Sequence, residues 1–239
     1  MRLNRWLLLA AIGVALSTAR LGWWQLDRAA QKVQLQQSLD ERRALPALSF
    51  ADLPMKAADV PTARHRRAAL QGRWLVDKPV VLDNRPMNAR TGFYVVTPLL
   101  LDDGTAVLVQ RGWLPRDLQD RTRLAPFDTP SGAVEVHGQI APALSRLYEF
   151  DAAASGSIRQ NLDLDAYARE SRLALRPWVL VQEGGAAAPA DGLLRQWPAP
   201  STGVHKHYGY AFQWFSLCAL TLVLYAWFQF IRPRRRLKR

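Results

Sequence analysis

Long apolar runs stand near both ends of the chain, and shorter runs of alternating character fill the middle. Residues 208–231 contain 24 positions without a charged side chain. As a helix this run is about 36 Å long, which exceeds the roughly 30 Å of a hydrocarbon core. Aromatic residues gather at both of its ends, as expected at the two membrane interfaces. The pattern predicts a transmembrane helix over residues 207–231.

The N-terminal apolar run is interrupted, and two interpretations of it stay open. Residues 6–19 are apolar, Arg20 follows, and "LGWWQL" extends the run to Leu26. A basic start, an apolar core and small residues at its end are typical of a cleaved signal peptide. Alternatively, residues 6–26 span the membrane, with Arg20 reaching the outer interface and the paired tryptophans anchored there. The position of the tryptophans favours the anchor, and both interpretations export the chain that follows.

Between the two apolar runs, short segments rich in β-branched and aromatic residues recur. An Asp-Gly pair within residues 102–105 predicts a hairpin between two of them. Residues 28–44 predict a polar helix that continues from the first span. A short helix is expected at about 162–172, with Asn161 or Asp163 as its N-cap. These patterns predict a mostly antiparallel β domain with one or two helices.

The net charge of +12 is high enough to suggest a nucleic-acid partner, so the distribution of the charge along the chain matters. Eight of the 32 basic residues lie at the chain ends: Arg2, Arg5, Arg232, Arg234, Arg235, Arg236, Lys238 and Arg239. The other 24 face 20 acidic residues. Basic tails beside membrane spans are typical of cytoplasmic ends. The charge therefore indicates that both termini are cytoplasmic, and no nucleic-acid partner is expected.

The predicted fold class is a membrane-anchored α+β protein, in which two transmembrane helices flank a mainly antiparallel β domain. The expected order is a cytoplasmic tail, a first span, an exported β-rich domain, a second span and a basic cytoplasmic tail, over residues 1–5, 6–26, 27–206, 207–231 and 232–239.

The exported domain carries no sequence pattern of a known catalytic or metal site. His65 and His137 are isolated, and the paired acidic residues lie beside turn or capping residues. The single cysteine, Cys218, lies within the last apolar run, so the exported domain has no disulfide and no cysteine nucleophile. We therefore expect that the protein is not an enzyme.

Arg85 and Arg111 are the charged residues of most interest in the predicted domain. Each stands at the end of a β run and is followed by turn residues. They are either surface arginines at hairpin ends, or they pair with carboxylates in the domain, on a partner or on a ligand. Both alternatives stay open, and both residues are kept as possible partner contacts.

Two histidines, His205 and His207, precede the last apolar run. On a helix they point about 200° apart, so one metal ion cannot take both from the same face. The second histidine begins a stripe of residues at spacings of three and four: His207, Tyr210, Ala211, Trp214 and Cys218. An imidazole above an apolar, aromatic surface is suited to ligating haem iron. The alternative is an ordinary histidine at the level of the lipid headgroups.

Four segments in order, "LGWWQLDR", "LDNRP" with "TGFYVVTPLLL", "LVQRGWLP" and "HYGYAFQWF", resemble the signature blocks of the surfeit locus protein 1 family. The resemblance covers about residues 3–231. It implies a protein of the bacterial inner membrane with both termini in the cytoplasm, a periplasmic β-rich domain and a role in assembling haem-copper cytochrome c oxidase.

The resemblance also implies a ligand and partners. His207 matches the histidine at the start of the second helix that binds haem a in bacterial members, and Tyr210 and Trp214 would line the site. The implied role is to bind haem a transiently and to aid its insertion into oxidase subunit I, with haem a synthase as a further partner. His205 and Lys206 stand where many members have two asparagines. The alternative is a cofactor-free membrane scaffold that stabilises an assembly intermediate.

Overall fold

A computed structural model describes the chain in two compact units, one of residues 1–39 and 200–239 and one of residues 40–199. The residues it describes are 5–117, 119–120, 123–148, 156–185, 189–197 and 203–231.

Two long helices dominate the first unit. Helix α1 (Arg5–Ala44) is continuous over 40 residues, which confirms that the predicted polar helix extends from the first apolar run. Helix α4 (Val204–Ala226) is followed by a π-helical turn (Trp227–Ile231). Both helices are long and apolar enough to cross a membrane, which is consistent with a membrane protein.

The second unit is a seven-stranded mixed sheet with short helical segments around it. The strands are β1 (Arg67–Trp74), β2 (Val80–Met87), β3 (Arg90–Leu101), β4 (Ala106–Pro115), β5 (Ala133–Ala141), β6 (Ile158–Arg159) and β7 (Leu175–Gln182). The helical segments are 3-10 turns at Phe50–Asp52 and Ala57–Asp59, and helices α2 (Val60–Ala63) and α3 (Leu164–Ser171).

The strand order is β1-β5-β7-β4-β3-β2-β6, and β1 also pairs with β3. This extra pairing, from Gly72 opposite Leu101 to Trp74 opposite Leu99, closes five strands into a ring. The long strand β3 makes this possible, because β2 pairs with its first half and β1 with its end. Strand β4 is parallel to β7 and β2 to β6, while the other pairs are antiparallel. The mainly antiparallel character is thus confirmed, and the closure into a barrel-like sheet is an addition that the sequence pattern did not predict.

Strands β3 and β4 are buried on both faces. In β4 nine consecutive residues from Ala106 are buried, and β3 shows a similar run. Continuous burial replaces the usual alternation because one face of these strands lines the barrel and the other is covered by further segments. Trp178 of β7 is in the core on one side, and Trp113 of β4 packs with Tyr167 of α3 on the other.

The turns explain which predictions succeeded. The Asp-Gly hairpin is confirmed between β3 and β4, where Gly104 takes a left-handed backbone with φ 81°. The predicted short helix is α3, and the Asp163 side chain caps it by accepting a hydrogen bond from the Ala166 amide at 3.0 Å.

The β2–β3 hairpin was not predicted. Its two turn residues, Asn88 and Ala89, both have positive φ, which alanine rarely adopts.

A buried arginine links the β3–β4 turn to strand β7. Arg176 donates from Nη2 to Asp103 Oδ2 at 2.6 Å and from Nε to Thr105 Oγ1 at 2.9 Å. Hydrogen bonds from Thr105, and then the charge of Arg176, hold the pKa of Asp103 below its usual range. The ionised carboxylate therefore stabilises the folded state at neutral pH.

We expect Asp103→Asn to lower the free energy of unfolding by about 2 kcal/mol at pH 7. A depressed folded pKa gives stability that is present above the ordinary carboxyl pKa and is lost as the pH falls through the folded value. The difference between parent and variant should therefore shrink in acid. Circular dichroism melts of the purified chain at a series of pH values measure it. Asp102→Asn, at an exposed neighbouring position, is the control; an equal gap at every pH would contradict the electrostatic cause.

Candidate functional site

The buried residues of α1 repeat at spacings of three and four, which is the heptad pattern of packed helices. They are small or polar: Ala15, Thr18, Gly22, Gln25 and Ala29. Small side chains let two helix backbones approach closely, as is common between membrane helices. A Cβ at Gly22 would lie only 2.8 Å from the Phe215 ring of α4.

Helices α1 and α4 run antiparallel. Gln25 contacts His207 near the start of α4, Gly22 contacts Phe215, and Ala15 contacts Cys218 further along. The Cys218 thiol lies 3.4 Å from the Ala15 carbonyl oxygen. Residue numbers in these contacts fall along α1 as they rise along α4, which is the antiparallel arrangement. The first and last parts of the chain therefore form one helix pair.

His207 lies in this helix pair and is half-buried. Its Nδ1 is 2.7 Å from Oε1 of Gln25, whose side chain is only 9% exposed. This contact joins the two family-like segments "LGWWQLDR" and "HYGYAFQWF", which are more than 180 residues apart in the chain. The imidazole is therefore held through one nitrogen by the facing helix.

The predicted stripe on α4 divides between two surroundings. Ala211 is covered by the helix pair and only 2% exposed, and Cys218 faces α1. Tyr210 is 53% exposed, and Trp214 is half-buried. From His207, Tyr210 is turned by about 60° on the helix and Trp214 by about 20° to the same side. The two aromatic side chains thus flank the histidine on the side away from Ala211.

Other residues named from the sequence lie around this position. His205 is exposed, in keeping with its place about 200° around the helix from His207. Trp23 and Trp24 are exposed on α1, and Trp23 packs edge-on against Phe215 with ring centres 6.2 Å apart. On α1, two tryptophans therefore lie within one turn of Gln25, the residue that contacts His207.

The donor groups decide which metal species the site suits. Among the described residues, no cluster of three or more histidine, cysteine or acidic side chains is placed to hold a metal ion. A bare ion such as zinc needs three or four protein ligands. Haem brings four nitrogen ligands of its own and needs one axial donor and apolar contacts. His207 with its aromatic neighbours fits haem and does not fit a bare metal ion.

Arg85 is buried in the second unit, so its interpretation as a surface arginine is wrong. A β-bulge between Leu82 and Arg85 interrupts the pairing with β3, and bulges re-aim the side chains next to them. The guanidinium is 1% exposed and donates from Nη2 to the Gln160 carbonyl oxygen at 2.7 Å. The Arg85 carbonyl accepts a 2.8 Å hydrogen bond from the Trp113 indole. Arg85 therefore ties together two of the family-like segments.

Arg111 is also 1% exposed, and the surface interpretation fails for it as well. Its Nη2 lies 3.1 Å from Oδ2 of Asp191, and the same oxygen is 2.5 Å from Nη2 of Arg195. The guanidinium stacks 4.7 Å from the Trp74 ring centre. Burial lowers the pKa of Arg111, and the charge of Asp191 opposes that shift. Of the alternatives left open for Arg111, the structure shows pairing with a carboxylate inside the domain.

Two residues central to these arrangements were missed in the sequence. Gln25 lies on the heptad of small residues in α1, and that repeat was the signal that would have marked it as an interface position. Asp191 follows the sequence "GGAAAPA", whose composition predicts a surface segment with a solvated acidic side chain. Only the structure shows it to be 4% exposed.

The fold and the site define a class: a protein with two paired apolar helices, a half-buried histidine near the start of the second, and a barrel-like domain between them in sequence. Comparison with known proteins is more specific. The profile of the SURF1 family matches residues 12–219. The chain belongs to this family, as the sequence segments predicted, and the family is known in general for oxidase assembly factors.

Individual relatives align with this chain over most of their length. A "SURF1-like protein" of Rickettsia bellii is 28% identical over 208 residues, which cover 86% of this chain and 83% of the relative. "Surfeit locus protein 1" of Xenopus tropicalis is 26% identical over 239 residues, covering 92% of this chain and 74% of the relative. A "SURF1-like protein" of Monosiga brevicollis is 24% identical over 234 residues, covering 90% and 85%.

Proposed function

We propose that this protein is a non-enzymatic oxidase assembly factor that takes haem a as a transient cargo and aids its insertion into cytochrome c oxidase subunit I. His207 is the axial ligand to the haem iron. The observation that carries the proposal is the contact of His207 with Gln25, which holds a half-buried imidazole through Nδ1. Family membership supplies the oxidase as the client.

The topology in this proposal follows from charge. Both chain ends are basic, so both termini are cytoplasmic and the barrel-like unit is exported, which in a bacterium means the periplasm. His207 then lies at the periplasmic end of its span, in the inner membrane. There, haem is accessible from the lipid and from a neighbouring membrane protein such as haem a synthase.

The proposed site uses few groups, which suits a cargo that must be released. Haem contributes the iron and a large apolar face, and His207 contributes one imidazole ligand. Tyr210 and Trp214 flank the histidine and are open enough to contact a porphyrin edge. One ligand and a partly open apolar wall bind less tightly than two axial ligands in a closed pocket. Transfer to the oxidase is correspondingly easier.

The barrel-like unit is proposed to contact the oxidase. Arg85 and Arg111 remain predicted contributors to that contact, and their burial supports an indirect part. The Arg85 guanidinium fixes β2 to the segment around Gln160, and that of Arg111 fixes β4 to the segment around Asp191. In this role they shape the surface that a partner would meet, since their own side chains are covered.

The test is the absorption spectrum of the protein purified in detergent from cells that make haem a. The parent chain is expected to carry haem, and His207→Ala is expected to lower its haem content about ten-fold or more, the loss that follows from about 1.4 kcal/mol of binding free energy. His205→Ala, two positions away and exposed, is the matched control and should retain haem.

Two outcomes would contradict the ligand role. One is a parent protein without haem, and the other is equal haem in the parent and in His207→Ala. If either is found while oxidase assembly in cells still requires the protein, the cofactor-free scaffold is the better account. The burial of Ala211 would then be explained as helix packing alone.

A further inference from the structure

Gln25 is a buried polar amide in the helix pair, and such a group needs a hydrogen-bond partner. Its side chain is 9% exposed and sits on the buried heptad of α1. The partner is Nδ1 of His207, at 2.7 Å from Gln25 Oε1. Packing on both sides fixes the amide opposite the imidazole, because Gly22 and Ala29 lie one turn away on the same face of α1.

The chemistry of the two atoms determines which nitrogen of His207 carries the proton. An amide oxygen has lone pairs and no hydrogen, so it can only accept. With Oε1 towards the ring, Nδ1 is the donor, and a neutral ring in this arrangement carries its proton on Nδ1. The other nitrogen, Nε2, is left with a free lone pair pointing away from Gln25, which is the state in which a histidine can ligate a metal.

We propose that Gln25 is the positioning residue of the haem site. Its carbonyl oxygen selects the Nδ1–H tautomer of His207, orients the ring and keeps Nε2 available to the iron. The inference rests on the proposed function, because it assigns Gln25 a part in the same site. Hydrogen bonds of this kind are common behind metal-ligating histidines, and their loss typically lowers metal affinity about 10- to 100-fold.

A purely structural alternative makes different predictions. Polar side chains also join membrane helices without any ligand. If Gln25 served only to join α1 and α4, any residue that preserves helix pairing would preserve haem binding. If Gln25 acts through His207, haem affinity depends on whether the side chain at position 25 can accept a hydrogen bond. Loss of the acceptor then weakens haem binding even where the helices stay paired.

The test compares the parent with Gln25→Leu and Gln25→Glu in two measurements. The first is ¹⁵N NMR of the imidazoles in haem-free full-length protein, with the His207 signal assigned by its absence from His207→Ala. We expect the Nδ1–H tautomer in the parent and in Gln25→Glu, and a change towards Nε2–H in Gln25→Leu. The second is haem titration, in which Gln25→Leu should bind about 10- to 100-fold more weakly and Gln25→Glu should largely restore binding.

Controls separate the possible failures. Gln213→Leu removes an exposed amide from α4 and should change neither measurement. A disulfide between an introduced Ala15→Cys and Cys218 reports that the helices still pair in Gln25→Leu, since Cys218 Sγ lies 3.4 Å from the Ala15 carbonyl oxygen.

An Nε2–H tautomer in the parent, or equal haem affinity in the parent and Gln25→Leu, overturns the role of Gln25. A parent that binds no haem overturns the proposed function instead. In that event the tautomer measurement still decides whether Gln25 sets the protonation of His207.

Discussion

Replacing Asp191 by alanine is expected to lower the free energy of unfolding of the barrel-like unit by about 3–5 kcal/mol, the usual cost of removing one partner from a buried ion pair. One oxygen of Asp191 lies within 3.1 Å of Arg111 and 2.5 Å of Arg195. All three side chains are nearly inaccessible to solvent. Without the carboxylate, two like charges would remain buried next to each other.

The measurement is thermal unfolding of the purified chain, followed by circular dichroism in the β-sheet region. At about 2–4 °C per kcal/mol for a unit of this size, the midpoint should fall by about 6–20 °C. Asp128→Ala is the matched control. Its carboxylate is exposed in the same neighbourhood, while the backbone carbonyl that accepts from Arg111 is retained.

A second variant separates charge from packing. Arg195→Met removes one of the two cations and leaves Arg111 paired with Asp191. We expect it to destabilise the unit less than Asp191→Ala, although it alters the larger side chain. The opposite ranking would show that Arg195 matters for its packing, and that charge balance around Asp191 is of minor importance. Arg195→Met also remains informative if Asp191→Ala does not fold.

The elements predicted correctly from the sequence are those whose signal is local. The helix over the charge-free run, the Asp-Gly turn and the Asp163 cap each depend on neighbouring residues, and each is confirmed. The closing pair of the barrel depends on β1 meeting the far end of β3, with Gly72 opposite Leu101. No periodicity within either strand encodes that partner, so the pattern predicted the strands without their order.

The arginines show why a local pattern can mislead. The sequence places Arg85 and Arg111 at strand ends before turn residues, where a charged side chain usually reaches solvent. In the structure both lie within strands, Arg85 in β2 and Arg111 in the middle of β4. Their burial depends on groups far along the chain: the Gln160 carbonyl for Arg85 and the Asp191 carboxylate for Arg111. A buried arginine is tolerated only when such partners exist, and sequence spacing does not show them. The family-like segments around these residues therefore contribute buried side chains to the second unit.

At the candidate site, the sequence analysis named His207 but not Gln25, the side chain that contacts it. The sequence predicts the stripe on α4 as one surface. In the structure Ala211 is buried and Cys218 contacts α1, while Tyr210 is exposed. Helical periodicity gives the faces of one helix, and it does not say which face a second helix will cover. The heptad of small residues on α1 carried that information.

Replacing Gly22 by leucine is expected to force the two helices apart. A Cβ at this position would lie 2.8 Å from the Phe215 ring, which is closer than such atoms approach. Overpacking of this kind costs about 1–3 kcal/mol. Because Gly22 is one turn from Gln25, the same displacement should break the 2.7 Å contact between Gln25 and His207. This single variant should therefore change both the pairing of the helices and the tautomer of His207.

Helix pairing can be measured with the native thiol. Oxidation of Ala15→Cys in lipid nanodiscs should join position 15 to Cys218 within one chain, detected by mass spectrometry of the linked peptides. Adding Gly22→Leu should lower the rate of cross-linking by about ten-fold, which corresponds to about 1.4 kcal/mol of lost pairing. Gly13→Leu is the matched control, since no atom lies within 4 Å of a Cβ built there.

This prediction couples the site to the helix interface. The rate of cross-linking and the tautomer of His207 must therefore change in the same variant. If Gly22→Leu abolishes the cross-link and His207 changes to its Nε2–H tautomer, close helix packing is what holds Gln25 against the imidazole. If the cross-link is lost while the tautomer stays as in the parent, something other than Gln25 sets the proton of His207. Gly13→Leu should leave both readouts as in the parent, because that position is exposed on α1.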